Sequence, residues 1–267
     1  MAAGRSAAMM IAVTAAVCPL MFAGAGQAVA ETRMAAGVRA AAAGGTWHTA
    51  QKVPGAATLN KGGEAQVQSV SCASAGNCSA GGYYTDSSGR HQVFVVSEVN
   101  GTWHAAIEVP GTAALNKGGN ANVFSVSCAS AGNCSAGGYY TTDSYGHTQA
   151  FVVSEVNGTW HTAIKVPGSA VLNQRGNAGV TSVSCASAGN CSAGGQYVGG
   201  SSWGSLPFVV SQVNGTWHTA REVPGTATLD HGGAWVVSVS CASAGNCSAG
   251  GSYHDSSGAS RCSWSAR

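Results

Sequence analysis

The chain has 267 residues, of which 8% are Asp, Glu, Lys or Arg, with 39 glycines and a formal net charge of +2. No basic or acidic run is present, which removes the electrostatic basis for a nucleic-acid partner or an anionic membrane surface. Regularly placed Val, Trp, Tyr and Phe offer enough apolar surface to offset chain entropy, so the low charge does not mean disorder.

Residues 1–30 read as a secretory signal peptide: Arg5 gives a positive start, residues 7–25 are apolar, and Ala28-Val29-Ala30 fits small-x-small cleavage. The run is about twenty residues, long enough to span a bilayer, but the cleavage site and the lack of a basic stop-transfer flank favour removal. Cys18 is not a lipid-attachment site, because Val17 stands where a small residue is wanted and apolar sequence continues after it. Residues 31–45 are Ala- and Gly-rich without periodicity, which suits a flexible leader. The expected product is secreted, with no membrane partner once the signal is removed.

From residue 46 to 267 one unit repeats four times. Its most distinctive stretch, Ser69-Val70-Ser71-Cys72-Ala73-Ser74-Ala75-Gly76-Asn77-Cys78-Ser79-Ala80-Gly81-Gly82-Tyr83, returns nearly unchanged around Cys128, Cys185 and Cys241, at steps of 56 or 57 residues. A period of this size points to a stacked or circular array. Within the first unit four strand-like runs are expected. Residues 67–72 are nearly continuous in apolar and small side chains, as an interior strand should be. Residues 78–85 follow and end in the Asp86-Ser87-Ser88-Gly89 turn. Residues 92–99 lead into Asn100-Gly101, the strongest two-residue hairpin signal. In residues 102–109, Trp103, Ala105, Ile107 and Val109 alternate with His104, Ala106 and Glu108, and Pro110-Gly111 closes the unit.

Four short antiparallel strands per repeat is the plan of a β-propeller blade. Residues 45–53 form a lone fourth strand before any first strand, and the last repeat ends at a third strand, Ser260-Arg261-Cys262-Ser263-Trp264. The two orphans add up to one blade. The expected fold is therefore all-β, a four-bladed propeller closed by pairing of the N-terminal strand with the last blade; a linear β-array is the alternative.

Export decides how the cysteines are read. Cys72/Cys78, Cys128/Cys134, Cys185/Cys191 and Cys241/Cys247 form four identical C-x5-C pairs, which in an oxidising compartment favours disulfides. Zinc needs four ligands converging at about 2.3 Å, and each repeat offers two thiols with no fixed His beside them. Cys262 stands outside the four pairs, as a thiol or as a bridge between chains.

At Gly81-Gly82, followed by Tyr83, Trp103 and Pro110, the unit resembles a kelch-type propeller blade, although Phe-Val-Val replaces the kelch Tyr-Asp of the third strand. With its SCASAGNC core it also resembles tandem-repeat secreted proteins of actinobacteria. The kelch resemblance implies a binding platform. The Cys, Tyr and His set of kelch copper oxidases and the three arginines of propeller sialidases cannot be assigned here.

A block repeated four times carries the same structural duty in each copy, whereas catalytic residues are needed once. His48, His104, His161 and His218 form a tempting ring, but on outermost strands of a propeller neighbours stand on the order of 25 Å apart, from strand spacings of about 4.8 Å, far beyond metal reach. They belong to a solvated outer face. Asp86, Asp143 and Asp255 read as turn residues, since the third repeat has none. Asn100-Gly101-Thr102, Asn157-Gly158-Thr159 and Asn214-Gly215-Thr216 match the glycosylation acceptor, and their hairpin role explains them. No metal, cofactor or catalytic residue is assigned.

Function is sought where the copies differ. Trp203, in an enlarged loop of the third repeat, and Trp235, where other repeats carry Gln66, Asn122 and Gly179, are expected on one face, with Asp230 and His231 beside them. Paired aromatics with polar neighbours suit a carbohydrate or protein ligand. The reading is a secreted, monomeric binding module for an extracellular polymer or protein. The alternative is a carbohydrate-active hydrolase or lyase using the same loop face.

Overall fold

The computed structural model describes residues 47–200 and 204–266; the expected signal peptide, the leader and Trp203 lie outside them. The chain divides into two units, Met1–Thr49 and Ala50–Arg267. In the first, residues 47–49 carry no regular secondary structure, and Trp47 is 98% exposed.

The second unit is all-β, with four antiparallel sheets, one per repeat. The inner strands are Ala65–Ser74, Ala121–Ser130, Ala178–Ser187 and Ala234–Ser243. Each pairs with a second strand (Asn77–Thr85, Asn133–Thr141, Asn190–Tyr197, Asn246–His254), which pairs with a third (His91–Val99, Thr148–Val156, Leu206–Val213, Ser260–Ala266). The connections explain the register. Cys72 and Cys78 face each other across the first hairpin and are joined by a disulfide, and the other three pairs repeat this. Asn100 and Gly101 turn the third strand back with positive φ of 49° and 81°, the hairpin geometry that Asn-Gly favours. At Gly82 the inner strand bulges so closely that a Cβ would stand 1.9 Å from the Gln66 carbonyl oxygen, and only glycine fits.

The expected fourth strand is broken in two. In the first repeat Thr102–Trp103 pairs with Glu98 and Val99, and Ile107–Glu108 with Phe94 and Val95. Between them the Ala106 N–H turns away to donate to the Pro54 carbonyl at 2.8 Å. This breaks the expected alternation: Ala106 is buried in one cluster with Trp103 and Val109 stays buried in the neighbouring one, whereas Ala105 and Ile107, expected inside, are exposed. A further element missed by the pattern is a single helical turn after each Pro-Gly: Ala56–Leu59, Thr112–Leu115, Ser169–Leu172 and Thr226–Leu229.

Successive sheets pack through one repeated joint. Ser69 Oγ and Ser71 Oγ accept from the backbone N–H of Val126 and Cys128 at 2.9 and 3.0 Å. Ser125 and Ser127 do the same for Val183 and Cys185, and Ser182 and Ser184 for Val239 and Cys241. Val123 and Val126 fill the space left by the missing Cβ of Gly81, as Val180 and Val183 do at Gly137 and Val236 and Val239 at Gly194. Trp160 and Trp217 donate through Nε1 to Ser97 and Ser154 of the preceding sheet, at 3.1 and 3.3 Å. Buried Glu155 accepts from Ser79 and Ser97 at the first joint, and Gln212 donates to Ser154 at the second.

The joint that closes the ring is not made. Among the described residues no bond links Ser238 or Ser240 to the N–H of Val70 or Cys72, residues 50–53 form no strand, and the last sheet has three strands. Val67 and Val70 are 42% and 60% exposed, whereas their six counterparts in the later repeats lie between 0% and 7%. Among the described residues the four sheets follow one another without a joint between the last and the first. Cys262, expected outside any pair within the chain, is disulfide-bonded rather than a thiol.

Candidate functional site

The two ends of each sheet behave differently. At one end stand the disulfide hairpin and the Asn-Gly hairpin, held together by the Gly101 N–H on the Gly76 carbonyl (2.8 Å) and the Asn100 N–H on Asn77 Oδ1 (3.3 Å). The second and third repeats reproduce both bonds. This end is the same wherever it occurs, so it is scaffold. His104, His161 and His218 are exposed, and no group of three or more metal-ligating side chains occurs among the described residues.

At the opposite end the second-to-third turn meets the connection into the inner strand, and here the repeats diverge. In the first repeat Tyr83 donates to Glu64 Oε1 at 2.7 Å and stacks on His91, ring centroids 4.8 Å apart. The hydrogen bond to Glu64, with burial second, holds the Tyr83 hydroxyl above its usual range. In the second repeat Tyr139 donates to Asn120 at 3.2 Å and lies 5.4 Å from the Phe124 ring. Asn122, at the inner-strand position opposite Tyr139, has a buried Oδ1 that accepts no hydrogen bond. The third repeat has Gln196 opposite Gly179.

The fourth repeat holds three of the residues singled out from sequence. Trp235 is half-buried and meets the His254 ring edge-on, 5.5 Å between centroids. The His231 N–H donates to the His254 carbonyl at 2.8 Å, leaving its imidazole exposed. Asp230 Oδ1 accepts from the N–H groups of Gly232 and Gly233 at 3.1 and 2.6 Å, so this carboxylate shapes the turn. Trp203 lies outside the described residues. The backbone just after it rests on the same turn: Ser205 O accepts from Ala234 N–H at 2.6 Å, and a Cβ on Gly204 would stand 2.8 Å from Gly233 N.

The remaining acids of this end are likewise held by turns. Asp86 Oδ1 accepts from Ser88 and Arg90 N–H, and Asp143 Oδ1 from Tyr145 and His147 N–H. Asp255 takes Ser257 Oγ–H, the N–H groups of Ser257 and Ala259, and Arg261 at 2.6 Å, which together hold its carboxyl far below the usual range.

Tyr83 and Tyr139 were not singled out in the sequence, although a signal was present. The position after each Gly-Gly reads Tyr83, Tyr139, Gln196 and Ser252, while the next is Tyr in every repeat (Tyr84, Tyr140, Tyr197, Tyr253). The varying position marks the site, and in the first three repeats the constant one is core.

No protein-family model and no curated protein matches the sequence. Among solved structures, the chain is similar to the subtype N11 neuraminidase-like protein of A/flat-faced bat/Peru/033/2010 (H18N11), at 14% identity and a TM-score of 0.40. The match covers 80% of this chain and spans 56% of that one.

Proposed function

We propose that the chain is an extracellular carbohydrate-binding module, with the divergent end of the sheet row as its binding surface. The observation that carries this reading is the placement of aromatic pairs. Tyr83–His91, Phe124–Tyr139 and Trp235–His254 stand at the same end of three sheets, flanked by Glu64, Asn120, Asp230 and His231. Rings with hydrogen-bonding neighbours suit the apolar faces and hydroxyls of sugar rings, and a row of them suits an extended polysaccharide. Four disulfides within the chain fit an oxidising compartment outside the cell.

The hydrolase or lyase reading needs a carboxylate able to exchange a proton with substrate. The turn bonds of Asp86, Asp143, Asp230 and Asp255 work against that role, so binding is favoured. A glycan array probed with wild type, Trp235→Ala and Tyr83→Ala/Tyr139→Ala tests the proposal. Each variant should weaken the sugars bound by wild type about tenfold, matching roughly 1–1.5 kcal/mol of lost ring contact. Undiminished binding in both variants would overturn it. Polysaccharide turnover that disappears in Asp230→Asn would shift the reading to an enzyme, and capture of proteins alone would shift it to a protein ligand.

A further inference from the structure

We propose that the front of the first sheet and the back of the last sheet are the two halves of a head-to-tail interface between copies of this chain. What covers these faces can be read from the molecule itself, because the same joint is made three times inside it. At each internal joint two serines of one inner strand accept from two backbone N–H groups of the next, about 57 residues on. Two valines of the later sheet also fill a glycine notch in the earlier one.

Every element of a fourth joint is present and unmatched. Ser238 and Ser240 are exposed on the last sheet, and Val67, Val70 and Cys72 on the first. At Gly81, Gly137 and Gly194 an added Cβ would meet valine methyls at 2.6–2.9 Å, but at Gly250 it would meet only the Ser263 carbonyl oxygen, at 3.8 Å.

The outer edge of the last sheet agrees. The carbonyls of Pro54, Pro110 and Pro167 each accept from an alanine N–H in the broken fourth strand of the following sheet: Ala106, Ala163 and Ala220. The next in this series are Pro224 and Ala50. The groove between the second and third sheets, lined by Trp217, measures about 320 Å³; its counterpart between the third and fourth, lined by Pro224, His218 and Val239, measures about 510 Å³. The sequence Gly-Thr-Trp-His-Thr-Ala at 45–50 is identical to 158–163 and 215–220. Residues 47–53 of a second copy, which lead through its Pro54 into its own first sheet, would pair as the missing strand and bring the docking face with them.

A second copy fits better than the chain's own front face. The three internal joints repeat the same serine-to-amide bonds, and with that arrangement Val67 and Val70 of the first sheet stay uncovered by the last. Closing on itself would require those joints to change, whereas adding a copy extends the row without altering them. An interface whose two halves differ joins copies head to tail, into a ring if the rotation closes and a filament if it does not.

Light scattering on the eluting mature chain tests this, with two variants that each block one half: Val70→Glu on the front and Gly250→Leu on the back. Wild type should run at twice the single-chain mass or more, and each variant alone at the single-chain mass with an unchanged circular dichroism spectrum. Mixing the two should restore a one-to-one dimer, because each still carries the half the other lacks. If Gly250→Leu misfolds, Ser238→Arg blocks the same face. A wild type that stays a single chain at every concentration, or a mixture whose mass does not rise above that of the folded variants, would overturn the proposal.

Discussion

Replacing Val180 by Ala measures what one joint contributes. Val180 is fully buried, and its Cγ1 sits 2.6 Å from where a Cβ on Gly137 would stand, so it fills the notch that the glycine leaves. Two methyl groups leave the core, about 1.6 kcal/mol at roughly 0.8 each. The unfilled notch between two regular sheets cannot collapse, which brings the total to about 2–3 kcal/mol. With a urea slope of about 2–3 kcal/mol per molar, the midpoint of unfolding should fall by roughly 1 M. Val67, its counterpart on the first sheet, is 42% exposed, and Val67→Ala should lower the single chain's stability by under about 1 kcal/mol. The assay is urea denaturation followed by circular dichroism at protein concentrations low enough to keep chains apart. Equal losses in the two variants would show that the front of the first sheet is as buried as the interior joints, and the open row would be wrong.

Two further outcomes follow from the same structure. Burial first, and then the hydrogen bonds donated to Glu108 and Glu222, hold the Tyr84 and Tyr197 hydroxyls well above the ordinary value of 10.0. The unfolded phenols ionise first, so this stabilisation is complete below pH 10 and is lost as the pH rises above it; phenolate absorbance from these two should appear only together with unfolding. Mass spectrometry of unreduced digests should give Cys128 linked to Cys134 and not to Cys72, and Cys128→Ser/Cys134→Ser should lower stability by about 2.4 kcal/mol, from the entropy of a seven-residue loop.

Much of this fold can be read from local pattern because the determinants are local. The C-x5-C spacing sets the first hairpin, Asn100-Gly101 sets the third-to-fourth turn, and both appear where expected. The broken fourth strand could not be read this way, because the partner of the Ala106 N–H is the Pro54 carbonyl, in the preceding connection. Ring closure is harder still. It depends on how the successive joints add up, whereas the orphan runs read from sequence at 45–53 and 260–264 show only that the expected strand count balances. The candidate site was half legible. Trp235 stood out as a large residue breaking the repeat, whereas Tyr83 and Tyr139 were hidden inside the motif that names it, and Trp203 lies outside the described residues.

The central claim is that the constant end of each sheet is scaffold and the divergent end binds. The most direct measurement compares two matched sets of substitutions for retention on insoluble polysaccharides such as cellulose, chitin and cell-wall sacculi. One set is Tyr83→Ala, Tyr139→Ala and Trp235→Ala at the divergent end; the other is His104→Ala, His161→Ala and His218→Ala on the repeated outer strands. The account predicts that the first set abolishes retention with little change in melting temperature, while the second leaves retention intact. Loss of retention in the histidine set, with the aromatic set still bound, would contradict it.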